Sequence, residues 1–418
     1  MTSDPLVAGL TADDAGAVQR FVDLVRVDTV SGAGVSSGSY AIICALLSEH
    51  CRQAGLSVER HEVVPGKPIV VATWPGTSPD LPSLLLTGHY DVVPVDSDRW
   101  SCDPFGGVIR DGFLYGRGTQ DMKCCLAAYI ECVRRLKRQG AFQPKRTVHL
   151  MFLPDEEIGG YDGMKAFTST DAFRKMNVGF ALDEGLASPT DVVPVYFGER
   201  ALWWIRVRST GTTGHASGFL EDGGAVQKLS RCINKAFAFR QGHADAFLKD
   251  GATLGDVVTV NVTALKCGHT TDGGKSYALN VIPSEAEAGI DIRIPPSVNL
   301  REFAERHLSD WTSEAGVTFE RIVGSDANPL TSLDPNDNPW WASLSATCEQ
   351  LGVRIEPRIF PAATDSRFLR AMGIPCIGFT AAPNTPVKFH DHDERIGVDV
   401  YLKSIGVYCA LVTSLSQL

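Results

Sequence analysis

The sequence contains no Cys-x-x-Cys spacing, and its eleven cysteines are an odd number. The first absence argues against a zinc module built on thiolates, and the second argues against a framework of paired disulfides. The opening residues also lack the basic region and apolar core of a secretory signal. We therefore expect a cytoplasmic protein in a reducing compartment, with chemistry that does not depend on thiol ligands.

Long apolar runs and an excess of positive charge are missing as well. No stretch approaches the ~20 apolar residues that a membrane span needs. The chain has 39 Lys and Arg against 49 Asp and Glu, a net charge of -10, and no basic run interleaved with aromatic residues. Because a negative chain repels polyanions, we expect neither a nucleic-acid partner nor a membrane partner.

The apolar pattern predicts an α/β fold in which helices flank a mostly parallel central sheet. Short apolar runs that are followed at once by polar or small residues are typical of buried strands. Such runs lie at 84–86, 148–153, 178–182 and 374–379. Between the first two, apolar residues recur at helical spacing from Leu126 to Leu136, and Gly140 supplies a stop. This predicts a crossover helix over Lys123–Gln139.

The middle of the chain changes to strict alternation of apolar and polar residues, which is typical of strands buried on one face only. The alternation is nearly perfect from Glu285 to Ile294. At 418 residues the chain also exceeds the roughly 250 to 300 residues at which single cores stop growing. We therefore predict an inserted α+β domain with an antiparallel sheet at 194–317, between two parts of the main domain at 1–193 and 318–418. Residues 369–379 are expected to supply a last strand of the main sheet.

Histidines and carboxylates follow the predicted strands of the main sheet, where ligands collect in open parallel sheets. They are His89 and Asp91, Asp121 before the crossover helix, Glu156 and Glu157, Asp183 and Glu184, and the cluster from His390 to Glu394. Each group taken singly could be a turn-stabilising pair, a helix cap or a solvated loop charge. One metal site explains all of them together, and imidazole with carboxylate suits zinc.

Three ordered motifs resemble the signatures of the dinuclear zinc aminoacylase and carboxypeptidase family, which also includes acetylornithine deacetylases and dipeptidases. They lie at 88–94, 116–123 and 154–160. Further segments look like the branch that hydrolyses N-acyl-L-amino acids, at 181–185, 213–217, 277–283, 361–367 and 390–395. The likeness extends over nearly the whole chain. Tyr90 and the pair Cys124 and Cys125 depart from the family pattern, but neither departure removes a ligand.

The resemblance implies two zinc ions per subunit. One ion is expected on His89 and Glu184, the other on Glu157 and His390, with Asp121 bridging both. Asp183 remains an alternative to Glu184, because only one of these adjacent carboxylates can bind the ion. Each ion then has three protein ligands and shares a water or hydroxide, which leaves an open position for substrate.

Catalytic roles are also implied by the resemblance. Glu156 is expected to be the general base, facing the substrate from an extended segment in which the next side chain, Glu157, points the other way to the metal. Asp91 is expected to accept the second ring N–H of His89 and so fix its tautomer. His215 matches a histidine that stabilises the oxyanion from a partner subunit. That role requires a twofold homodimer, paired through the inserted domains.

The remaining matched residues are expected to hold the α-carboxylate and nearby backbone of the substrate. They are Asn280, Arg293, Thr364 and Arg367. A guanidinium can hold a carboxylate through two parallel hydrogen bonds. Arg293 has an alternative as a solvated charge on the polar face of its strand.

The expected reaction is the hydrolysis of a small molecule, an N-acyl-L-amino acid, to a carboxylate and a free amino acid, with a metal-bridging hydroxide as nucleophile. A carboxypeptidase or dipeptidase that uses the same two metals is the first alternative, because motifs do not settle the shape of the pocket. The second alternative is a non-catalytic relative. Such a relative should have lost the base or a ligand, whereas Glu156 and the five ligand candidates are all present.

Overall fold

The computed structural model describes residues 9–221, 223–270, 272–324 and 329–418 and divides the chain into two compact units. The first unit comprises Met1–Phe197, Leu330–Arg358 and Thr364–Leu418. The second unit comprises Gly198–Pro329 and Ile359–Ala363. The main domain is therefore discontinuous along the chain.

In chain order, the strands are β1 Ser57–Val64, β2 Lys67–Trp74, β3 Ser83–His89, β4 Val108–Arg110, β5 Phe113–Tyr115, β6 Val148–Leu153, β7 Val178–Asp183, β8 Val192–Glu199, β9 Ala201–Thr210, β10 Gly214–His215, β11 Thr259–Cys267, β12 Val281–Ile282, β13 Glu285–Ile294, β14 Val317–Gly324, β15 Arg354–Phe360, β16 Cys376–Phe379 and β17 Arg395–Gly397. The helices are α1 Ala12–Val25, α2 Ser39–Gln53, α3 Lys123–Gln139, α4 Ala166–Thr168, α5 Asp171–Lys175, α6 Gly224–Lys249, α7 Leu300–Phe303, α8 Ser309–Trp311, α9 Pro339–Gln350, α10 Ser366–Ala371 and α11 Val398–Leu415. Single 3₁₀ turns lie at Ser97–Arg99 and Glu156–Ile158, and π-helical turns lie at Tyr161–Lys165 and Ala304–Leu308.

The main sheet has the strand order β1-β2-β6-β3-β7-β16-β8-β15. Its central strands β6, β3, β7 and β16 run parallel to one another. Towards the edges, β1, β2 and β8 pair antiparallel with their neighbours. The predicted fold class, an α/β fold with a mostly parallel central sheet flanked by helices, is confirmed, and the parallel pairing lies among the four central strands.

Helix α3 connects the parallel strands β3 and β6, and it packs directly on β3. Its apolar residues from Leu126 to Leu136 are buried, and the left-handed Gly140 ends it. The close approach needs Gly88, because a Cβ there would lie 2.3 Å from Met122 Cε. This packing brings the residue before the helix cap, Asp121, close to the end of strand β3.

The second unit contains an antiparallel sheet with the order β11-β13-β9-β14. The alternating apolar residues of β13 are buried, together with one face of α6. The boundaries differ from those predicted, since β8 stays in the main sheet up to Glu199 and β14 adds residues 317–324 to the second sheet. Strand β14 is largely exposed, and its apolar and polar residues alternate only from Val317 to Glu320, which is too short a pattern to extend the predicted domain.

The strand predicted within 369–379 was too long. Residues Ser366–Ala371 form helix α10, in which Leu369 is buried, and the strand starts only at Cys376. Gly373 has a φ of 79°, a conformation that glycine adopts without strain and that suits a helix end. The apolar residues at 369–379, predicted as one strand, therefore belong to two elements: the end of a short helix and a separate strand.

Among the described residues, α11 is the one helix that is long and apolar enough to cross a membrane by length and composition. Its buried residues belong to the main hydrophobic core, and the helix packs against α3. Packing within the core accounts for its apolar character.

His149 should make stability depend on pH. It lies on β6 with 7% of its surface exposed, its Nδ1 is 2.9 Å from Thr73 Oγ1, and burial lowers its pKa from 6.5 to about 4. Between these two values the unfolded chain binds more protons than the folded chain. The free energy of unfolding should therefore fall as the pH drops through this window, by up to about 3 kcal/mol.

Urea unfolding measured at several pH values across this window tests the expectation. The His149→Gln variant should show a shallower fall in stability than the parent. The control Thr73→Val removes the same hydrogen bond but keeps the buried imidazole, so it should retain the steep pH dependence. Equal pH dependence in the parent and in His149→Gln would contradict this origin of acid sensitivity.

Candidate metal and active site

Three neighbouring parallel strands deliver the predicted residues to one edge of the main sheet. Strand β3 ends at His89, β6 is followed by the turn Glu156–Ile158, and β7 leads into Glu184. Because β6, β3 and β7 are adjacent and parallel, their carboxyl ends lie side by side. The sheet topology thus places these side chains together.

Two groups of possible metal ligands share one residue, Asp121. The first group is His89, Asp121 and Glu184, and the second is Asp121, Glu157 and His390. Within each group the ligand atoms all lie within 4.8 Å of one another. Asp121 Oδ1 is 3.1 Å from His89 Nε2, and Asp121 Oδ2 is 3.2 Å from His390 Nε2. The five predicted ligand residues are therefore brought together, with Asp121 in the middle.

The two groups differ in exposure. His89 and Glu184 are buried at the strand ends. His390 lies on a loop with 46% of its side chain exposed, and its Nε2 is 3.0 Å from Glu157 Oε2. One group is built into the sheet and the other depends on a loop.

The adjacent carboxylates of Asp183 and Glu184 have different partners. Ser366 Oγ donates to Asp183 Oδ2 at 2.6 Å, whereas Glu184 Oε2 is 3.6 Å from His89 Nε2. Asp183 is thus engaged by helix α10, and Glu184 faces the imidazole.

Asp91 acts on His89 through a different atom from the one expected. The backbone carbonyl of Asp91 is 2.9 Å from His89 Nδ1, while its carboxylate is 3.5 Å away. A carbonyl can only accept, so Nδ1 carries a proton, and Nε2 is the ring nitrogen that faces Asp121. The carboxylate of Asp91 instead accepts the backbone N–H groups of Glu156 and Glu157, each at 3.2 Å, and the hydroxyl of Ser31 at 2.8 Å.

The segment with Glu156 and Glu157 is a 3₁₀ turn and not the extended segment that the sequence suggested. Asp155 precedes it with a φ of 64°, which turns the chain directly after β6. In this turn both side chains can reach the same cluster, since Glu156 Oε2 is 4.0 Å from His89 Nε2 and Glu157 contacts His390.

Asp155 itself is held by groups that the sequence did not reveal. It is 2% exposed, it accepts a hydrogen bond from the Tyr40 hydroxyl at 2.8 Å, and it forms an ion pair with Lys67, which also pairs with Asp162. A left-handed non-glycine residue persists when its surroundings hold it. Helix α2 and strand β2 therefore support the turn that presents Glu156 and Glu157.

The electrostatics of the cluster are those of crowded buried carboxylates. Burial raises the pKa of Glu156 and that of Glu184 well above their usual range, and nearby carboxylates add to both shifts. Burial, followed by the charge of Asp121, raises the pKa of Glu157 to about 7. Although burial opposes it, Asp121 and Glu157 raise the pKa of His390 to about 10. The site thus concentrates negative charge that favours a bound cation.

One buried oxygen of a predicted ligand, Glu157, tests whether a metal ion fits the site. Glu157 Oε1 is buried and has no hydrogen-bond partner within the described part of the chain. An unpartnered buried oxygen is costly unless something else binds it. Imidazole nitrogen and carboxylate oxygen, with no thiolate, suit zinc and similar divalent ions. The residues present therefore fit a metal pair.

Of the predicted substrate-binding residues, Thr364 and Arg367 belong to the first unit. Arg367 Nη1 donates to the Thr364 carbonyl at 2.7 Å, and Nη2 donates to the Gly159 carbonyl at 2.6 Å. The guanidinium also lies 4.5 Å from the centroid of the Phe368 ring. Arg367 is thereby fixed beside the turn that carries Glu156.

His215, Asn280 and Arg293 belong to the second unit. His215 lies on β10, which pairs with β12, the strand that begins directly after Asn280. The Asn280 carbonyl accepts the Ala216 N–H at 2.9 Å. The exposed His215 has Nδ1 2.7 Å from Ser217 Oγ. Arg293 Nε pairs with Asp291 on its own strand at 3.0 Å. His215 and Asn280 are neighbours, and Arg293 has a partner on the polar face of β13.

Comparison with known proteins gives one family. The sequence model of peptidase family M20/M25/M40 matches residues 85–414. Aminoacylase-1 of Sus scrofa is 44% identical over 403 residues, which cover 96% of this chain and 95% of that protein. Aminoacylase-1 of Dictyostelium discoideum is 45% identical over 356 residues, which cover 84% of this chain and 86% of that protein.

Solved structures share the fold. The M20 family metallo-carboxypeptidase of Sulfolobus solfataricus has a TM-score of 0.71 at 18% identity, covering 96% of this chain and 99% of that one. At this identity the likeness concerns the fold alone.

Proposed function

Because this chain belongs to peptidase family M20/M25/M40, we propose that it hydrolyses the amide bond of N-acyl-L-amino acids with two zinc ions. It is a hydrolase, and metallopeptidases of this family use metal ions. The observation that carries the proposal is the shared carboxylate of Asp121 between His89 and His390, with Glu156 beside it. Similarity to Aminoacylase-1 along almost the whole of both chains supports N-acyl-amino acids as the substrate class.

The five clustered side chains would hold the two ions. His89, Asp121 and Glu184 form one position, and Asp121, Glu157 and His390 form the other. We prefer Glu184 to Asp183, because the Asp183 carboxylate is engaged by Ser366. When bound, the metal pair supplies a water of lowered pKa and polarises the acyl carbonyl.

Glu156 is the proposed general base. Its side chain is 10% exposed, and its backbone is fixed by Asp91. It takes a proton from the attacking water as the C–O bond forms and delivers that proton to the leaving nitrogen as the C–N bond breaks. With an ion on Nε2, His89 would be neutral and would keep its proton on Nδ1, because the Asp91 carbonyl accepts there. Asp91 thus orients both the ligand His89 and the base.

Substrate binding is assigned to residues that the family resemblance singled out. Arg367, fixed between the Thr364 and Gly159 carbonyls beside the Glu156 turn, is proposed to hold the α-carboxylate through its planar guanidinium. Thr364 supports Arg367, and Asn280 is proposed to contact the substrate backbone. The pairing of Arg293 with Asp291 favours its alternative role, as a charge satisfied within its strand.

His215 is proposed to act on the substrate of a partner subunit. Its exposed position on the short β10–β12 ladder leaves its side chain available to another molecule. We propose a twofold homodimer formed through the second unit, in which this imidazole stabilises the oxyanion. The eleven free cysteines support a cytoplasmic location for the enzyme.

The substrate class can be tested with a matched panel. The zinc-loaded protein should hydrolyse N-acetyl-L-methionine with a kcat/KM at least tenfold above that for dipeptides with methionine at the carboxyl end. Both substrates end in methionine and so carry the same α-carboxylate. They differ in what is attached to the methionine nitrogen: a neutral acetyl group in one, and an amino acid with a charged amine in the other. Faster cleavage of the dipeptides would identify a dipeptidase or carboxypeptidase instead.

Replacing Glu156 by alanine should separate catalysis from metal binding. The variant should retain two zinc ions per chain by elemental analysis while kcat falls about 10²- to 10⁴-fold, since a proton-transfer group is lost and no ligand is removed. Glu59→Ala, an exposed carboxylate on β1, is the matched control and should leave both quantities unchanged. Turnover by Glu156→Ala at the parent rate would show that the base lies elsewhere.

Subunit complementation tests the role of His215. His215→Ala and His390→Ala should each be nearly inactive alone, and a mixture of the two should recover activity after subunit exchange. A mixed dimer contains one site with both an intact ligand set and an intact partner histidine. The control mixes His390→Ala with Glu156→Ala, which leaves each site of the mixed dimer with one defect and should recover no activity. No recovery by the first pair after verified exchange would mean that His215 acts within its own chain or not at all.

A further inference from the structure

Glu394 is a fully buried carboxylate that the proposed mechanism does not use. It lies on the same loop as His390 and has 0% exposure. One oxygen accepts the backbone N–H of Gln120 at 2.6 Å and that of Asp121 at 3.2 Å. The other oxygen accepts from Arg117 Nη1 at 2.7 Å and from the Gly118 N–H at 3.1 Å. All four donors therefore come from the segment that ends at Asp121.

Gln120 connects the same two segments in the opposite direction. Its amide Nε2 donates to the carbonyls of Pro386 at 2.9 Å and Arg395 at 2.7 Å, and its Oε1 accepts the Lys388 N–H at 2.9 Å. The Pro386 carbonyl and the Lys388 N–H belong to the loop that contains His390, and the Arg395 carbonyl lies where that loop enters β17. The loop of Asp121 and the loop of His390 are thus bound together by side chains from both sides.

The loop of His390 needs such support. His390 has a φ of 62° and Asp393 a φ of 54°, both in the left-handed region that non-glycine residues rarely occupy. Asp393 is pinned by Ser101, whose N–H and hydroxyl donate to Asp393 Oδ1 at 2.8 and 2.9 Å. Since such a backbone persists only when its surroundings hold it, the hydrogen bonds around Glu394 bear on the position of the His390 imidazole.

We propose that Glu394 is a positioning residue that holds Asp121 and His390 at the spacing required by the metal position of Asp121, Glu157 and His390. This role of Glu394 rests on the proposed function, because it concerns the affinity of that same site for zinc. Glu394 acts through the backbone of Asp121 and through the loop of His390, without touching the ion. The position of His89 and Glu184 depends less on it, because those two ligands are held at strand ends.

The conservative variant Glu394→Gln probes this role. A carboxylate offers acceptor oxygens to all four donors, whereas an amide offers one oxygen and turns its own N–H groups towards two of them. The shape of the side chain is kept, but either the Gln120 and Asp121 N–H groups or the Arg117 and Gly118 donors lose their acceptor.

Zinc retention by the full-length holoprotein is the measurement. Parent and variant are equilibrated against a graded series of a chelator, and zinc per chain is determined by elemental analysis. We expect Glu394→Gln to lose one of its two zinc ions at roughly 10- to 100-fold lower chelator concentration than the parent, the size typical of removing a partner behind a ligand. Adding zinc should restore kcat with little change in KM, which a purely structural defect would not show.

Glu131→Gln is the matched control. Glu131 is a buried carboxylate on α3 that accepts from Arg20 at 2.5 and 2.9 Å and from Arg134 at 3.3 Å. Among the described residues, none of its hydrogen bonds reaches the loop of Asp121 or the loop of His390. The Glu131→Gln variant should have a lower free energy of unfolding and should retain zinc at the parent level. Gln120→Leu weakens the same connection without disturbing a buried charge, so it covers the case in which Glu394→Gln fails to fold. It should shift zinc retention in the same direction.

The outcomes separate the positioning role from the proposed function. Parent-level zinc retention in the folded Glu394→Gln and Gln120→Leu variants would overturn the positioning role and leave the proposed function intact. An equal loss of zinc in Glu131→Gln would also overturn it, since general destabilisation would then suffice. A parent protein that binds no zinc would overturn the proposed function and the positioning role together.

Discussion

The carboxylate of Asp121 has one oxygen 3.1 Å from His89 and the other 3.2 Å from His390, and the rest of the site is arranged around this shared group. His89 is fixed where strand β3 ends, and its Nδ1 is held by the Asp91 carbonyl. Asp121 itself precedes helix α3, which packs on β3 at Gly88. A change in the packing of this helix on this strand would therefore alter both groups of candidate ligands at once.

Those parts of the fold whose burial pattern is local could be predicted from the sequence. Strand β6, helix α3 and strand β13 have the bounds that the sequence indicated, because each keeps one pattern: a nearly continuous apolar run in β6, helical spacing in α3 and strict alternation in β13. Strand β14 could not be found in this way, since five consecutive residues within it are exposed. The run at 369–379 was predicted as one strand because it is largely apolar, and a short buried helix and a buried strand are both apolar.

The site was predictable in its residue types and less so in its geometry. Histidine and carboxylate after β3, β6 and β7 pointed to the edge of the sheet where the structure gathers these side chains, and the family resemblance supplied the individual roles. The 3₁₀ turn at Glu156 could not be seen, because it depends on the left-handed Asp155 and its partners Tyr40 and Lys67, which are distant in sequence. Nor does the sequence reveal that Asp91 uses its carbonyl on His89 and its carboxylate on the backbone of the turn.

The two groups of candidate ligands differ in how the protein holds them in place. Strand ends buried in a sheet are positioned by the same packing that makes the fold stable, so His89 and Glu184 need little further support. His390 is half-exposed, lies on a loop and has a left-handed backbone, so its position is set by specific hydrogen bonds, those of Glu394 among them. Loops permit adjustment that strands do not. The arrangement thus combines one candidate ligand group whose histidine is fixed by the core with another whose histidine is fixed by the polar contacts of a loop, so changes in those contacts should act on His390 without repacking His89.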